Sequence, residues 1–183
     1  EARAEVDKVK ANTIWLAEAE KADLLVKAFD VDYSWNLHAT LTEVMQGAKP
    51  ASALRKIWEE QAATFAKGSI RMRFSDNHDE RRAIVRFGEK GALAAQTLAF
   101  TLDGVPLIYN GMEVGDTAES GAPALFERLP IFWQFAERRP EFPRFYKAMT
   151  SLRKSSIALR RGDVNWLENS DENRVLTFTR RSG

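Results

Sequence analysis

Apolar and polar positions along the chain alternate between short extended runs and longer helical repeats. Four runs have strand character, at residues 13–17, 29–35, 70–74 and 105–109. Apolar residues between them recur at helical spacing, most clearly in residues 51–66. Strands that alternate with helices predict an α/β fold with a parallel sheet and helices packed against it.

Polar side chains concentrate where these predicted strands end. The strand at residues 70–74 places Ile70, Met72 and Phe74 on one face, which we expect to be buried, and then gives way to Asp76-Asn77-His78-Asp79. Since the carboxyl ends of parallel strands form the ligand-binding edge of such sheets, we expect a functional site here. Three further carboxylates fall at the ends of the other predicted strands: Glu18, Asp32 and Glu113.

The character of the chain changes after Gly162. Extended runs at 164–167 and 174–179 flank a polar turn at 169–173, which is typical of a β-hairpin. We therefore predict two units, residues 1–160 as the α/β domain and residues 161–183 as the start of an antiparallel β domain.

Composition excludes several classes of function. The 183 residues contain 27 basic and 26 acidic side chains, a balance that gives no reason to expect nucleic acid or an anionic membrane as a partner. Cysteine is absent, which excludes disulfides and thiolate metal sites. No apolar run approaches the ~20 residues that span a bilayer. A nucleotide-binding α/β protein is disfavoured because no glycine-rich phosphate loop follows a strand.

Glu18 and Asp79 are the carboxylates with the clearest potential chemistry. Glycosidases need one carboxylic acid to protonate the leaving oxygen and an opposed carboxylate to attack or stabilise the anomeric carbon. His78 could donate hydrogen bonds to sugar hydroxyls. Candidate aromatic faces for stacking against a sugar are Trp15, Tyr33, Trp35 and Tyr109.

Simpler interpretations compete with this one. Glu18 could be a charge at a helix N-terminus, and residues 77–79 could cap the following helix. Tryptophans lie in protein cores more often than in sugar sites. Asp76, His78 and Asp79 could bind a metal ion, but consecutive residues seldom converge on one ion. His38 has no partner nearby in sequence, so we expect it to be structural.

Three stretches resemble motifs of the alpha-amylase-type glycoside hydrolases, family thirteen. Phe74-Ser-Asp-Asn-His-Asp79 is similar to that family's strand-seven motif, and Trp15-Leu-Ala-Glu18-Ala to its strand-five motif. Gly104-Val-Pro-Leu-Ile-Tyr-Asn-Gly-Met-Glu113-Val-Gly115 resembles strand eight. The resemblance implies a partial (β/α)8 TIM barrel, strands five to eight, followed by a short antiparallel hairpin.

The resemblance also implies roles for individual residues. Glu18 would be the general acid/base, and Asp79 the catalytic carboxylate that stabilises the transition state. Substrate-binding residues would be His78, Asn77, Tyr33 and Trp35. The implied substrate is a starch-like α-glucan or an oligosaccharide, cleaved or transferred at α-glucosidic bonds with retention. No cofactor is expected in this chain, although the full-length parent could bind calcium.

One part of the family pattern is missing. The family's nucleophile is an aspartate in a Gly-x-Arg-x-Asp context at strand four, and no such motif occurs in these residues. We therefore expect this chain alone to be inactive. The alternative is a non-catalytic half-barrel module or a carbohydrate-binding remnant. Four strands of a barrel would leave unpaired edges, so a homodimer that covers them is a further hypothesis.

Overall fold

A four-stranded parallel sheet forms the centre of the molecule. The computed structural model describes residues 1–118 and 129–183. Residues 116–130 are rich in Gly, Pro, Ser and acidic side chains, which predicts a loop, and most of them lie outside the described residues. The strands are β1 (Leu16–Ala17), β2 (Val31–Tyr33), β3 (Ile70–Arg73) and β4 (Val105–Pro106). They lie side by side in chain order and all pair in parallel, which confirms the predicted α/β architecture.

Helices connect and flank the strands. Their bounds are α1 (Ala2–Val9), α2 (Leu24–Lys27), α3 (Trp35–Met45), α4 (Ser52–Thr64), α5 (Ala83–Thr101), α6 (Phe135–Arg138), α7 (Glu141–Ser155) and α8 (Ile157–Arg161), with a 3-10 turn at Met112–Val114. None of the helices in the described ranges has the length and apolar character needed to cross a membrane.

Several predicted bounds were wrong. The β1 strand is shorter than the apolar run 13–17, and Ile14 in that run is 78% exposed. Trp35 begins α3 instead of ending a strand. The nearly continuous apolar residues 89–103 predict a helix, but helix α5 begins six residues earlier, at Ala83, and is interrupted at Gly88, whose φ is +71°.

In β3, the face that carries Arg71 and Arg73 is more buried than the face predicted to be buried. Ile70 is 40% exposed, whereas Arg71 and Arg73 are 3% and 1% exposed. Only Phe74, just beyond the strand, is buried as expected. Side chains alternate across a sheet, and Asp32 and Arg71 are register partners on β2 and β3. The arginine face therefore packs against the rest of the protein, whereas the opposite face is exposed at Leu16 and Ile70 and buried at Val31 and Tyr33.

Buried charge pairs explain how arginines can occupy that face. Arg71 Nε lies 2.5 Å from Asp32 Oδ1, and Arg71 Nη2 lies 2.8 Å from Glu20 Oε1. Arg73 Nη2 lies 3.0 Å from Asp103 Oδ1. Asp32 is fully buried in this network. Its predicted place among the polar groups at the ligand-binding edge was wrong, because its carboxylate pairs with Arg71 on the other side of the sheet.

The antiparallel hairpin forms as predicted. Strands β5 (Asp163–Leu167) and β6 (Thr177–Arg181) pair in antiparallel register. Trp166 and Phe178 of this hairpin pack on an apolar cluster from α3, α4 and α5 that includes Leu37 and Leu54. A second cluster joins α5 to α7. The hairpin is thus fixed to the helical layer, and the boundary at residue 160 stays a prediction.

Two residues define how β4 joins the sheet. Gly104 has φ +91°, and a Cβ there would lie 2.0 Å from the carbonyl oxygen of Arg71. Leu107 N–H donates to Arg73 O at 2.8 Å, toward β3. Since alternate residues point their N–H groups to opposite sides, the nitrogen of Pro106 faces the outer edge of the sheet, as its strand-entry position requires.

Candidate active site

Glu18, His78 and Asp79 meet at the carboxyl edge of the sheet. His78 Nε2 lies 3.1 Å from Glu18 Oε1 and 3.4 Å from Asp79 Oδ2. One ligand atom from each of the three residues lies within 4.8 Å of the others. The side chains are 40–51% exposed. The structure therefore brings together two carboxylates and an imidazole that a bound molecule can reach.

Strand order produces this convergence. Glu18 directly follows β1, and the 76–79 segment follows β3, with β2 lying between the two strands. Parallel strands end at the same edge, so residues far apart in sequence are delivered to one place. The sequence prediction that Glu18 and Asp79 share a face rested on this reasoning.

The turn that carries Asp79 is held by buried neighbours. Asn77 Oδ1 accepts hydrogen bonds from the N–H groups of Asp79 (3.0 Å) and Glu80 (3.1 Å). Asp76 Oδ2 accepts from Ala83 N–H at 3.0 Å, where α5 begins. Burial raises the pKa of the Asp76 carboxyl. Asn77 has no exposed surface, so these bonds give it a positioning role in the turn.

Tyr33 and Trp35 form an aromatic wall beside the carboxylates. Their rings stack with centroids 5.2 Å apart and planes within 11°. Burial raises the pKa of the Tyr33 phenol, and the negative charges of Glu18 and Asp79 add to this effect. Tyr33 is 5% exposed, whereas Trp35 is half-buried, so Trp35 offers the larger accessible surface.

The other candidate residues have different surroundings. Trp15 packs edge-on against Phe29, and the Tyr109 ring lies under the guanidinium of Arg82. Glu113 Oε2 accepts the N–H of Gly111 at 2.8 Å, within its own turn. The structure does not place these three side chains with Glu18, His78 and Asp79.

His38 and Arg86 both contact the backbone carbonyl of Ser75, just before the segment that carries His78 and Asp79. His38 is 5% exposed, its Nε2 lies 3.1 Å from Ser75 O, and its ring stacks on Phe74. Burial lowers the pKa of His38, and the nearby Arg86 charge lowers it further. These contacts agree with a structural histidine. Arg86 Nη2 also donates to Ser75 O. Sequence reasoning missed Arg86, because nothing local distinguishes it from the other arginines of 81–86.

The spacing of Glu18, His78 and Asp79 also suits a metal ion. The predicted alternative set of Asp76, His78 and Asp79 does not form, because Asp76 points to α5. Within the described ranges, the group with suitable spacing is Glu18, His78 and Asp79. Calcium takes six to eight oxygen ligands, and this trio supplies two carboxylates and a nitrogen. It does not fit a calcium site.

Comparison with known proteins identifies the family. The family model for the alpha amylase catalytic domain matches residues 10–151. The chain belongs to this family. It is 34% identical to alpha-amylase MalA of Haloarcula japonica over 93 residues, 51% of this chain, and 36% identical to alpha-amylase 2 of Dictyoglomus thermophilum over 124 residues, 59% of this chain.

Solved structures show the same fold. The maltogenic alpha-amylase AmyB of Thermotoga neapolitana superimposes on the whole chain with a TM-score of 0.85 at 24% identity. This chain spans 14% and 22% of the two sequence relatives and 42% of AmyB. The alpha-amylase resemblance and the TIM-barrel fold are thereby confirmed, and this chain corresponds to part of such a protein. The strand numbers five to eight and the residue roles stay predictions.

Proposed function

We propose that this chain forms part of the catalytic site of an alpha-amylase-type glycoside hydrolase that cleaves or transfers α-glucosidic bonds. The observation that carries the proposal is the convergence of Glu18, His78 and Asp79, with His78 Nε2 within 3.4 Å of both carboxylates. The substrate class is a starch-like glucan or an oligosaccharide. In this proposal the strands are five to eight of the complete barrel.

Each of the three residues has a distinct task. Glu18 protonates the leaving glycosidic oxygen and then takes a proton from the incoming water or sugar hydroxyl. Asp79 stabilises the positive charge that develops at the anomeric carbon, and His78 donates a hydrogen bond to a ring hydroxyl. Tyr33 and Trp35 flank the bound ring, and Asn77 holds the turn that presents Asp79.

The nucleophile of a retaining mechanism would come from outside these residues. Such enzymes place two carboxyl groups about 5–5.5 Å apart on either side of the scissile bond. No Gly-x-Arg-x-Asp motif occurs in the 183 residues. We propose that a longer protein supplies this aspartate and that the present chain has no turnover alone. Any calcium bound by that longer protein would use residues other than the Glu18 trio.

The experiment compares Glu18→Gln with Glu168→Gln in the longer protein. A general acid contributes about 10²–10⁴-fold to rate, mainly for poor leaving groups. Glu18→Gln should therefore lose that much kcat/KM on maltotriose and far less on α-glucosyl fluoride, whose leaving group needs no proton. Glu168→Gln, at an exposed position, should leave kcat/KM unchanged on both substrates. Full activity of Glu18→Gln on maltotriose would remove the assignment.

The second candidate is a carbohydrate-binding module without catalysis. It is favoured by the missing nucleophile motif and by the exposure of the three side chains. If the longer protein binds maltose at this edge but hydrolyses neither substrate, this candidate replaces the first. Turnover that depends on Glu18 excludes it.

We also propose that two copies of this chain associate so that they cover the unpaired sheet edges, β1 and β4, and the exposed apolar side chains beside them. Leu16 and Ile70, on the same face, are 42% and 40% exposed, and β1 and β4 have no further strand partner in the described ranges. Sedimentation equilibrium should show a dimer that Ile70→Glu dissociates, while Val26→Glu, at another exposed apolar position, leaves it intact. A monomer at micromolar concentration contradicts this.

A further inference from the structure

One arginine of helix α5 bonds to both ends of the segment that carries His78 and Asp79. Arg86 Nε donates to Arg81 O at 2.9 Å, and Arg86 Nη2 donates to Ser75 O. Ser75 directly precedes residues 76–80, and Arg81 directly follows them. A single guanidinium therefore closes the base of this segment, which we call the 76–80 turn.

The third nitrogen of Arg86 ties this base to a neighbouring helix. Its Nη1 donates to Thr42 Oγ1 at 2.8 Å, and Thr42 lies on α3. Thr42 Oγ1 itself donates to His38 O at 3.1 Å, one helical turn earlier. Leu37 and Leu41 of the same helix are buried in an apolar cluster. The base of the turn is thus fixed to a helix that is itself firmly packed.

Bonds inside the turn depend on this closure. The oxygen Oδ1 of Asn77 accepts from the N–H groups of Asp79 and Glu80, so it shapes the tip. A chain segment whose ends are held close has fewer conformations, which favours such bonds. Asp76 Oδ2 provides another tie, to the N–H group at the start of α5. Loss of Arg86 should therefore loosen the turn without abolishing the fold.

The shape of the guanidinium explains why an arginine suits this place. It presents five N–H donors in a rigid plane, so it can bond to several acceptors at once. A lysine ammonium is a compact charge on a flexible chain and does not span Ser75 O and Arg81 O in the same way. The negative charges of Asp76 and Glu80, both in the turn, also attract the Arg86 charge.

We propose that Arg86 is a positioning residue, which holds His78 and Asp79 opposite Glu18 by closing the 76–80 turn. It acts through the main chain at Ser75 and Arg81, not by contact with substrate. The inference rests on the proposed function, since it takes His78 and Asp79 as the groups that meet the sugar. The closure of the turn itself does not depend on catalysis.

The first test measures amide hydrogen exchange in the 183-residue chain. Arg86→Met keeps a long side chain but removes every donor. It should speed exchange at the Asp79 and Glu80 amides at least about tenfold more than at the Leu102 amide. Leu102 is 1% exposed and its N–H donates to Leu98 O at 2.9 Å, so its amide reports the stability of the core.

The second test measures kcat/KM in the longer protein on maltotriose and on α-glucosyl fluoride. Arg86→Met should lose at least about tenfold on both substrates, because Asp79 stabilises charge at the anomeric carbon whatever the leaving group. Glu18→Gln, in contrast, should largely spare the fluoride. Arg86→Lys keeps the charge and one donor group, so it should recover part of the loss but not all of it.

Arg153→Met is the matched control. Arg153 and Arg86 are both half-buried, and Arg153 donates to the carbonyls of Phe100 and Gly104, at the other end of α5. Its replacement removes a similar set of bonds to main-chain oxygens and should lower the melting temperature by a comparable amount. It should leave kcat/KM unchanged on both substrates.

The outcomes separate positioning from a general loss of stability. Exchange that rises equally at Asp79, Glu80 and Leu102 would overturn the proposal. Full kcat/KM in Arg86→Met would also overturn it, as would equal losses in Arg86→Met and Arg153→Met. If the longer protein turned over neither substrate before any substitution, the proposed function would be wrong, whereas faster exchange confined to Asp79 and Glu80 would still support Arg86 as the residue that positions the turn.

Discussion

His78 Nε2 lies 3.1 Å from Glu18 Oε1, so one imidazole links the ends of two strands that are not adjacent in the sheet. It also lies 3.4 Å from Asp79 Oδ2. The imidazole is therefore placed to keep two carboxylates close together in an exposed site.

The two histidines of the chain should respond differently to replacement by alanine. His78 is half-exposed, so His78→Ala should change the free energy of unfolding by less than about 0.5 kcal/mol. It should lower kcat/KM of the longer protein by about 10²-fold, the effect of losing one well-placed donor. His38→Ala removes a buried, stacked ring and should destabilise the chain by about 2–3 kcal/mol. Urea unfolding measures the stability of the two variants, and steady-state kinetics measures the activity of the longer protein. Equal destabilisation by His78→Ala and His38→Ala would contradict a structural role for His38 alone.

Asp32 should make stability depend on pH. Burial raises the pKa of the Asp32 carboxyl to about 6, despite the nearby charge of Arg71. A folded-state pKa above the unfolded value means that the folded chain binds more protons between pH 4 and 6, so this group's contribution to stability falls as pH rises through that window.

Asp32→Asn removes this titration and keeps the side-chain shape. Its free energy of unfolding relative to the unmodified chain should rise between pH 4 and pH 7, by on the order of 3 kcal/mol. Asn12→Asp, at an exposed position, serves as a control that adds a carboxyl without burial. A relative stability that falls over the same range would show that the Arg71 pair outweighs desolvation.

Gly104 and Gly68 offer a matched pair of substitutions. Both have φ +91°, but a Cβ at Gly104 would lie 2.0 Å from Arg71 O, whereas a Cβ at Gly68 meets nothing within 4 Å. Gly68→Ala should cost about 1–2 kcal/mol, from backbone conformation alone. Gly104→Ala should cost at least about 3 kcal/mol, since β3 and β4 must also separate. Thermal unfolding measures the difference, and similar melting temperatures would refute the close approach.

Asn77 should contribute to the turn through its acceptor oxygen. Asn77→Ala removes two hydrogen bonds to the N–H groups of Asp79 and Glu80 and should destabilise the chain by about 1–2 kcal/mol. Asn77→Ser keeps an oxygen that can serve such a turn and should lose less. Denaturant midpoints distinguish the two. If the variants lose activity equally without any change in stability, Asn77 contacts substrate instead.

The parallel sheet and the meeting of Glu18 with Asp79 were predictable because both follow from local patterns. Strand-like runs separated by helical repeats indicate parallel strands, and parallel strands end together. Polar residues that follow such strands are then delivered to the same edge of the sheet, where Glu18 and Asp79 meet whereas Glu113 bonds within its own turn.

The buried face of β3 was not predictable by the same means. Alternation identified Ile70, Met72 and Phe74 as the inward face, yet Arg71 and Arg73 are the more buried residues of the strand. Their countercharges come from other segments, on Asp32, Glu20 and Asp103, so the information is spread across the chain. The contact between Arg86 and His38 could not be predicted for the same reason, because the two residues lie in separate segments of the chain.

Pro106 limits what can be added to the outer side of β4. Its nitrogen points away from β3 and carries no hydrogen, so a strand arriving on that side would find one rung of the ladder without a donor. An added strand must therefore pair in a register in which the residue opposite Pro106 does not require a hydrogen-bond donor. Pro106 thus restricts which strands can pair with the outer edge of β4 and disfavours non-specific strand addition.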